Sequence, residues 1–171
     1  VLDVETGNFR HGDFRLLDRG FDFYAPQTTL TPDGRRIMVG WMGLPDIAYP
    51  TDDHGWAHCL TLPRELRRVG DRLYQQPVRE LRAIRGREYS AEGKVSNETI
   101  SPAGYTGSCY ELIVEFDNRD AAEFGVKLRT GEEEETSLVC SAGESRLILD
   151  RTRSGRPVAE EFGTRRSCRV D

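Results

Sequence analysis

FDFYAPQTTLTPDGRRIMVGWMG, residues 21–43, is the stretch that decides the fold class. It holds two short apolar runs, residues 21–24 and residues 37–41, with Pro32-Asp33-Gly34 between them. Proline presets the backbone for a tight turn, and glycine accepts a positive φ angle without a steric cost. The pattern therefore predicts a β-hairpin in which the two apolar runs are neighbouring strand segments.

Asp22 is the lone acidic residue in the first of these runs. The two-residue period of a strand places Asp22 and Tyr24 on one face and Phe21 and Phe23 on the other. One interpretation is an ordinary hydrated carboxylate at a sheet edge. The other is a sugar-binding surface, because carboxylates accept hydrogen bonds from sugar hydroxyls and aromatic rings cover the apolar face of a sugar ring. The strand alone leaves both interpretations open.

Turn signals recur along the whole chain, with short β-type runs between them. This pattern is typical of an all-β sandwich or propeller. Residues 44–58 have no usable period and predict a long loop, and a second hairpin is expected around Gly70. The one convincing helix is short and lies at residues 77–85, with Val78, Leu81 and Ile84 or Arg85 on one face. After Gly86 four further strands are predicted, at residues 109–117, 123–130, 136–141 and 146–152.

Composition excludes several classes of protein. The formal net charge is −5 and no nucleic-acid motif is present, so a nucleic-acid partner is not expected. The longest apolar runs are strand-sized, so no membrane partner is expected either. The four cysteines are too widely spaced for a disulfide scaffold or a metal knuckle, and reduced, mostly buried thiols are predicted. The chain reads as a piece of a longer protein.

His54, His58 and Cys59 invite a metal or thiol interpretation, which the local sequence does not favour. Two histidines four residues apart bind zinc well from a helix, and Pro50 and Gly55 argue against a helix here. On a strand, neighbouring His58 and Cys59 side chains point to opposite faces and cannot share a proton. We therefore predict no metal and no cofactor, and we interpret the histidines as loop residues.

Three segments resemble glycoside hydrolase family 32, the group of invertases and sucrose-6-phosphate hydrolases. They are LDRGFDFYAPQT, RRIMVGWMGLPDIAYPTDDHGWAHCLTLPREL and LYQQPVREL, which together cover about residues 14–85. Residues 87–171 resemble the C-terminal β-sandwich of that family in texture alone.

The resemblance implies an all-β fold, consisting of the last part of a five-bladed β-propeller followed by a C-terminal β-sandwich. The implied boundaries are residues 1–77 for the propeller part, 78–86 for a short helical linker and 87–171 for the sandwich. The implied reaction is retaining hydrolysis of a terminal β-fructosyl bond in sucrose or sucrose 6-phosphate. The implied partner is a small sugar, namely sucrose, sucrose 6-phosphate or short fructans. Asp22, Tyr24 and Trp41 would then bind or frame the fructosyl unit, and the parent protein would be cytoplasmic.

The chain departs from the family pattern at the catalytic residues. The family places its nucleophile in Trp-Met-Asn-Asp-Pro-Asn-Gly, its transition-state stabiliser in Arg-Asp-Pro and its acid in Glu-Cys-Pro, and none of these motifs occurs here. We therefore expect no catalytic residue in this chain and no hydrolysis by the chain alone. Self-association is expected through residues 14–66, because an orphaned blade exposes unpaired strand edges.

Two other classes of protein stay open from the sequence. One is a non-catalytic carbohydrate-binding β-sandwich, and the other is a structural interaction module. The sequence does not decide whether the sugar is phosphorylated.

Overall fold

The computed structural model of the protein describes residues 2–170, and its strands form two antiparallel sheets. The first sheet contains β1 (Tyr24–Leu30), β2 (Arg36–Met42), β3 (Cys59–Leu60), β4 (Arg64–Val69) and β5 (Arg72–Pro77). The second sheet contains β6 (Glu123–Leu128), β7 (Glu135–Ser141), β8 (Arg146–Arg153) and β9 (Arg165–Arg169). Short 3-10 helices lie at Pro50–His54, Arg79–Ile84 and Glu160–Phe162. The prediction of an all-β fold is confirmed.

The first hairpin has the predicted turn and a different first strand. Gly34 adopts a φ of 83°, and its N–H donates to the Thr31 carbonyl, which closes the turn. The first strand was expected at residues 21–24, and this was wrong, because β1 begins at Tyr24 and runs to Leu30. A register shift between Tyr24 and Gln27, with Ala25 at a φ of 44°, bends the chain where the strand begins. Asp22 and Tyr24 therefore do not owe their placement to strand alternation.

The middle of the first sheet is strand β2, which carries its most buried side chain, Met38, at 1% exposure. β1 pairs with β2, and both β3 and β4 also pair with β2, at different points along it. Between these two pairings, two hydrogen bonds with Thr61 replace regular strand pairing at Gly40. The Thr61 N–H donates to the Gly40 carbonyl, and the Gly40 N–H donates to the Thr61 hydroxyl. This arrangement fixes β2 beside residues 59–61.

The second sheet has the order β6-β7-β8-β9. The predicted strands at residues 123–130, 136–141 and 146–152 are confirmed, and β9 was not predicted. The strand predicted at residues 109–117 is absent from the described structure, and Leu112 and Ile113 are 51% and 73% exposed. A strand requires a partner for its backbone groups, and no described segment pairs with this one. The second layer of a sandwich thus stays a prediction.

The predicted short helix is present as the 3-10 helix Arg79–Ile84, between the two sheets in sequence. Val78 and Leu81 are half-buried, as its predicted apolar face requires, whereas Ile84 is 79% exposed. The predicted loop at residues 44–58 contains the 3-10 helix Pro50–His54. Within residues 2–170, no helix has the length and apolar character needed to cross a membrane.

The chain is far more exposed than a compact monomer. Its accessible surface is 14603 Å², against about 8,500 Å² expected for a folded monomer of this mass. Among the described residues, Met38 and Phe162 are the buried apolar side chains. The four cysteines are free, with Cys59 and Cys109 exposed and the other two half-buried, so the expectation of mostly buried thiols was wrong.

Candidate functional site

Asp22 is held by a tyrosine from the loop that follows β2. The Tyr49 hydroxyl donates to Asp22 Oδ2 at 3.2 Å and accepts the Leu44 N–H at 3.1 Å. Asp22 and Tyr49 are both half-buried. The phenol therefore fixes one oxygen of the carboxylate. A carboxylate accepts several hydrogen bonds, so Asp22 retains the capacity to accept one from a ligand hydroxyl.

Tyr49 belongs to a series of four aromatic side chains in which each ring contacts the next. We call Tyr24, Trp41, Tyr49 and His58 the aromatic cluster. The Tyr49 and His58 rings lie 4.6 Å apart at 81°, and the His58 and Trp41 rings lie 4.9 Å apart at 71°. Trp41 then meets Tyr24, directly opposite it in the β1–β2 pairing, at 6.1 Å and 66°. Edge-to-face geometry of this kind is favourable for aromatic pairs. The four rings therefore form one continuous series of aromatic contacts.

Two glycines make this close packing possible. A Cβ atom on Gly40 would stand 2.2 Å from the Phe23 ring, and one on Gly43 would stand 2.6 Å from the His58 ring. Both glycines are buried. The Gly-Trp-Met-Gly sequence of residues 40–43 is therefore a packing requirement, because any side chain at either glycine would displace an aromatic ring.

The environment of Tyr49 favours its neutral form. Burial raises the pKa of the Tyr49 phenol above its ordinary value, and the charge of the nearby Asp22 carboxylate raises it further, although the Leu44 N–H acts in the opposite direction. The phenol thus keeps its proton near neutral pH and remains a hydrogen-bond donor to Asp22. The site consequently presents a fixed acceptor beside aromatic surface.

The acids of the neighbouring loop have other partners. Asp52 Oδ2 accepts the Tyr49 N–H at 3.0 Å, and Asp53 forms an exposed ion pair with Arg156 at 3.2 Å. Across residues 2–170, no group of three or more His, Cys, Asp or Glu could hold a metal ion. Chemically, the arrangement supplies one carboxylate with aromatic surface, which is suited to binding a polyhydroxylated ligand rather than to two-carboxylate chemistry.

Of the three residues predicted for the site, Tyr24 and Trp41 meet directly, whereas Asp22 is linked to them through Tyr49 and His58. Sequence reasoning missed Tyr49, and it placed His58 among ordinary loop residues. His58 does lie in that loop, where it adopts a φ of 66°, and its buried Nε2 has no hydrogen-bond partner. The available signal was the second glycine in Gly-Trp-Met-Gly, which indicates close approach of another group to Trp41.

Comparison with the profiles of known protein families shows which family the chain belongs to. The profile of the Glycosyl hydrolases family 32 N-terminal domain matches residues 1–77, and that of the Glycosyl hydrolases family 32 C terminal matches residues 80–171. The chain belongs to glycosyl hydrolases family 32.

Two individual proteins that are similar in sequence to this chain are sucrose-6-phosphate hydrolases. The sucrose-6-phosphate hydrolase of Staphylococcus xylosus is 43% identical over 169 residues, which are 99% of this chain and 34% of that protein. The Salmonella typhimurium sucrose-6-phosphate hydrolase is 54% identical over 88 residues, 50% of this chain and 19% of that protein. The chain thus spans about a third of the length of the first of these relatives.

Solved structures agree with this assignment. A sucrose-6-phosphate hydrolase from Lactobacillus gasseri superimposes with a TM-score of 0.66 at 26% identity, covering 91% of this chain and 31% of that chain. A Bombyx mori family 32 beta-fructofuranosidase superimposes with a TM-score of 0.60 at 19% identity, covering 99% of this chain and 33% of that chain. At 19% identity the second likeness shows the fold alone.

Proposed function

We propose that this chain is the C-terminal part of a β-fructofuranosidase that hydrolyses the terminal β-fructosyl bond of sucrose or sucrose 6-phosphate. The observation that carries the proposal is the Asp22 carboxylate, which is fixed by Tyr49 of the aromatic cluster in a chain of family 32. Relatives that cover nearly the whole chain are named sucrose-6-phosphate hydrolases, which supports this substrate class.

In the proposed reaction, Asp22, Tyr24 and Trp41 bind the fructosyl unit. Asp22 accepts a hydrogen bond from a sugar hydroxyl, and Trp41 covers the apolar face of the ring. In a retaining mechanism one carboxylate attacks the anomeric carbon while a second protonates the leaving oxygen, with the two about 5 Å apart. We propose that both groups come from parts of the enzyme outside these 171 residues, and that this chain alone is inactive.

The proposed architecture is the last part of a five-bladed propeller over residues 1–77, a linker over residues 78–86 and a β-sandwich over residues 87–171. The antiparallel order β1-β2-β4-β5 supports the propeller part, since four antiparallel strands form a propeller blade. The parent enzyme is proposed to be cytoplasmic, on the resemblance of WAHCLTLPREL, residues 56–66, to the intracellular branch of the family.

The test compares the purified 171-residue chain with the full-length parent enzyme, each incubated with sucrose and with sucrose 6-phosphate, and follows release of fructose. The parent should release fructose from at least one sugar, and the chain should release none. A parent enzyme that releases fructose from neither sugar would refute the proposed function. Turnover by the chain within about tenfold of the parent would mean that the catalytic carboxylates lie within these residues.

A further inference from the structure

The second sheet contacts the residue that precedes Asp22. The Phe21 ring contacts two guanidinium groups, and its centroid lies 4.9 Å from Cζ of Arg151 in β8 and 4.4 Å from Cζ of Arg166 in β9. Arg166 Nε also donates to the Gly20 carbonyl at 3.2 Å. Arginine over an aromatic face is attracted by the electrons of the ring. The main chain entering Asp22 is therefore held from the second sheet.

The 3-10 helix Glu160–Phe162, which precedes β9, also supports the residue that donates to Asp22. The Phe162 ring meets Tyr49 edge to face, with centroids 5.8 Å apart at 87°. Phe162 is only 5% exposed, and Arg166 Nη2 donates to its carbonyl at 2.8 Å. Phe162 and Arg166 are thus one unit. It reaches Asp22 by two separate routes, one through Phe21 and the other through Tyr49.

We infer that Arg166 of β9 and Phe162 of the 3-10 helix before it are positioning residues of the proposed sugar site, which set the orientation of the Asp22 carboxylate without touching the sugar. Both routes converge on the same side chain, one along the backbone and one through a hydrogen bond. A contact that merely fastened the two sheets together would have no reason to converge in this way. The Arg156–Asp53 ion pair differs in this respect, because it joins the loop after β8 to the 3-10 helix Pro50–His54 through two side chains that are each 72% exposed.

The kinetic test rests on the proposed function and uses the full-length parent enzyme. Arg166→Met should lower kcat/KM by about tenfold when Asp22 is present and by less than about twofold in an Asp22→Asn background. Such non-additivity is expected because the variant acts through Asp22. Arg156→Met, which makes the same change at the exposed ion pair with Asp53, should leave kcat/KM unchanged in both backgrounds. Equal losses in the two backgrounds would overturn the inference.

A second measurement does not depend on activity and also uses the full-length parent enzyme. Trp41 and Trp56 are the two tryptophans of these 171 residues, and 5-fluorotryptophan labelling gives each of them a fluorine resonance, which Trp41→Phe and Trp56→Phe variants assign. Arg166→Met and Phe162→Leu should each move the Trp41 resonance while the Trp56 resonance stays in place. Arg156→Met should move neither. An unmoved Trp41 resonance in both folded variants would overturn the inference.

The two arms separate the possible failures. If the parent enzyme hydrolyses neither sugar, the proposed function is wrong and the fluorine resonance alone decides the positioning inference. If Arg166→Met does not fold, Phe162→Leu tests the same site through the Tyr49 route and takes its place in both arms.

Discussion

Arg35 and Glu80 form a two-pronged ion pair between the turn that joins β1 to β2 and the 3-10 helix that follows β5. Arg35 Nη2 lies 2.7 Å from Glu80 Oε1, and Nη1 lies 3.1 Å from Oε2. The ion pair therefore links two segments that are 45 residues apart in the chain. Because the guanidinium is planar, its two parallel hydrogen bonds also fix the angle of approach.

This pair predicts how stability depends on pH. The hydrogen bond from Arg35 lowers the pKa of Glu80 to about 2, whereas an unfolded glutamate has a pKa of about 4.3. The depressed value means that the contribution is complete above the unfolded pKa and is lost as the pH falls toward 2. Wild-type chain should therefore melt above Glu80→Gln at neutral pH, and the two melting temperatures should converge between about pH 4.3 and 2.

The control for this series is Glu98→Gln, which removes one exposed carboxylate elsewhere. Its melting temperature should track wild type across the same pH range. A gap between wild type and Glu80→Gln that stays constant down to pH 2 would show that Arg35 does not hold Glu80 ionised.

Trp41→Ala in the full-length enzyme should lower kcat/KM for sucrose, because the ring wall of the site is lost. The expected loss of transition-state stabilisation is about 1 to 3 kcal/mol. Trp56→Ala is the matched control, since Trp56 is 56% exposed in the loop, and it should retain activity. Unchanged kcat/KM in Trp41→Ala would place Trp41 outside the sugar site.

Asp22→Asn should impair turnover more than folding. The amide keeps the size of the side chain and still accepts the Tyr49 hydroxyl, but it carries no charge and presents one oxygen instead of two. Kinetics and thermal melting of the full-length variant, measured side by side, check this. Full activity combined with a much lower melting temperature would return Asp22 to a purely structural role.

The isolated chain should self-associate through residues 14–66. Its excess of exposed surface over a compact monomer includes apolar side chains on the first sheet, and unpaired strand edges are sites of association. Sedimentation velocity should show dimers or larger species, and limited proteolysis should remove the first 85 residues before the second sheet. A strictly monomeric chain with a protease-resistant N-terminal half would contradict this expectation.

Local sequence predicted the hairpins because their turns are encoded in a few adjacent residues, such as Pro32-Asp33-Gly34. It failed for β9, whose half-buried positions are Arg166 and Cys168 rather than an apolar series. It overpredicted residues 109–117, where β-type side chains lack a partner strand in the described structure. The site shows the same division. Asp22, Tyr24 and Trp41 stand in a recognisable pattern, whereas Tyr49 and Phe162 join the site through contacts that no local period records.

The close packing around Gly40 and Gly43 bears on any attempt to engineer a new substrate preference by directed evolution. A saturation library at these two positions would disturb the packing in every member, because even alanine would collide with the ring of Phe23 or His58. Diversity is better placed at Ala48, which faces solvent in the neighbouring loop. Such a library would leave unchanged the aromatic cluster that we propose binds the sugar.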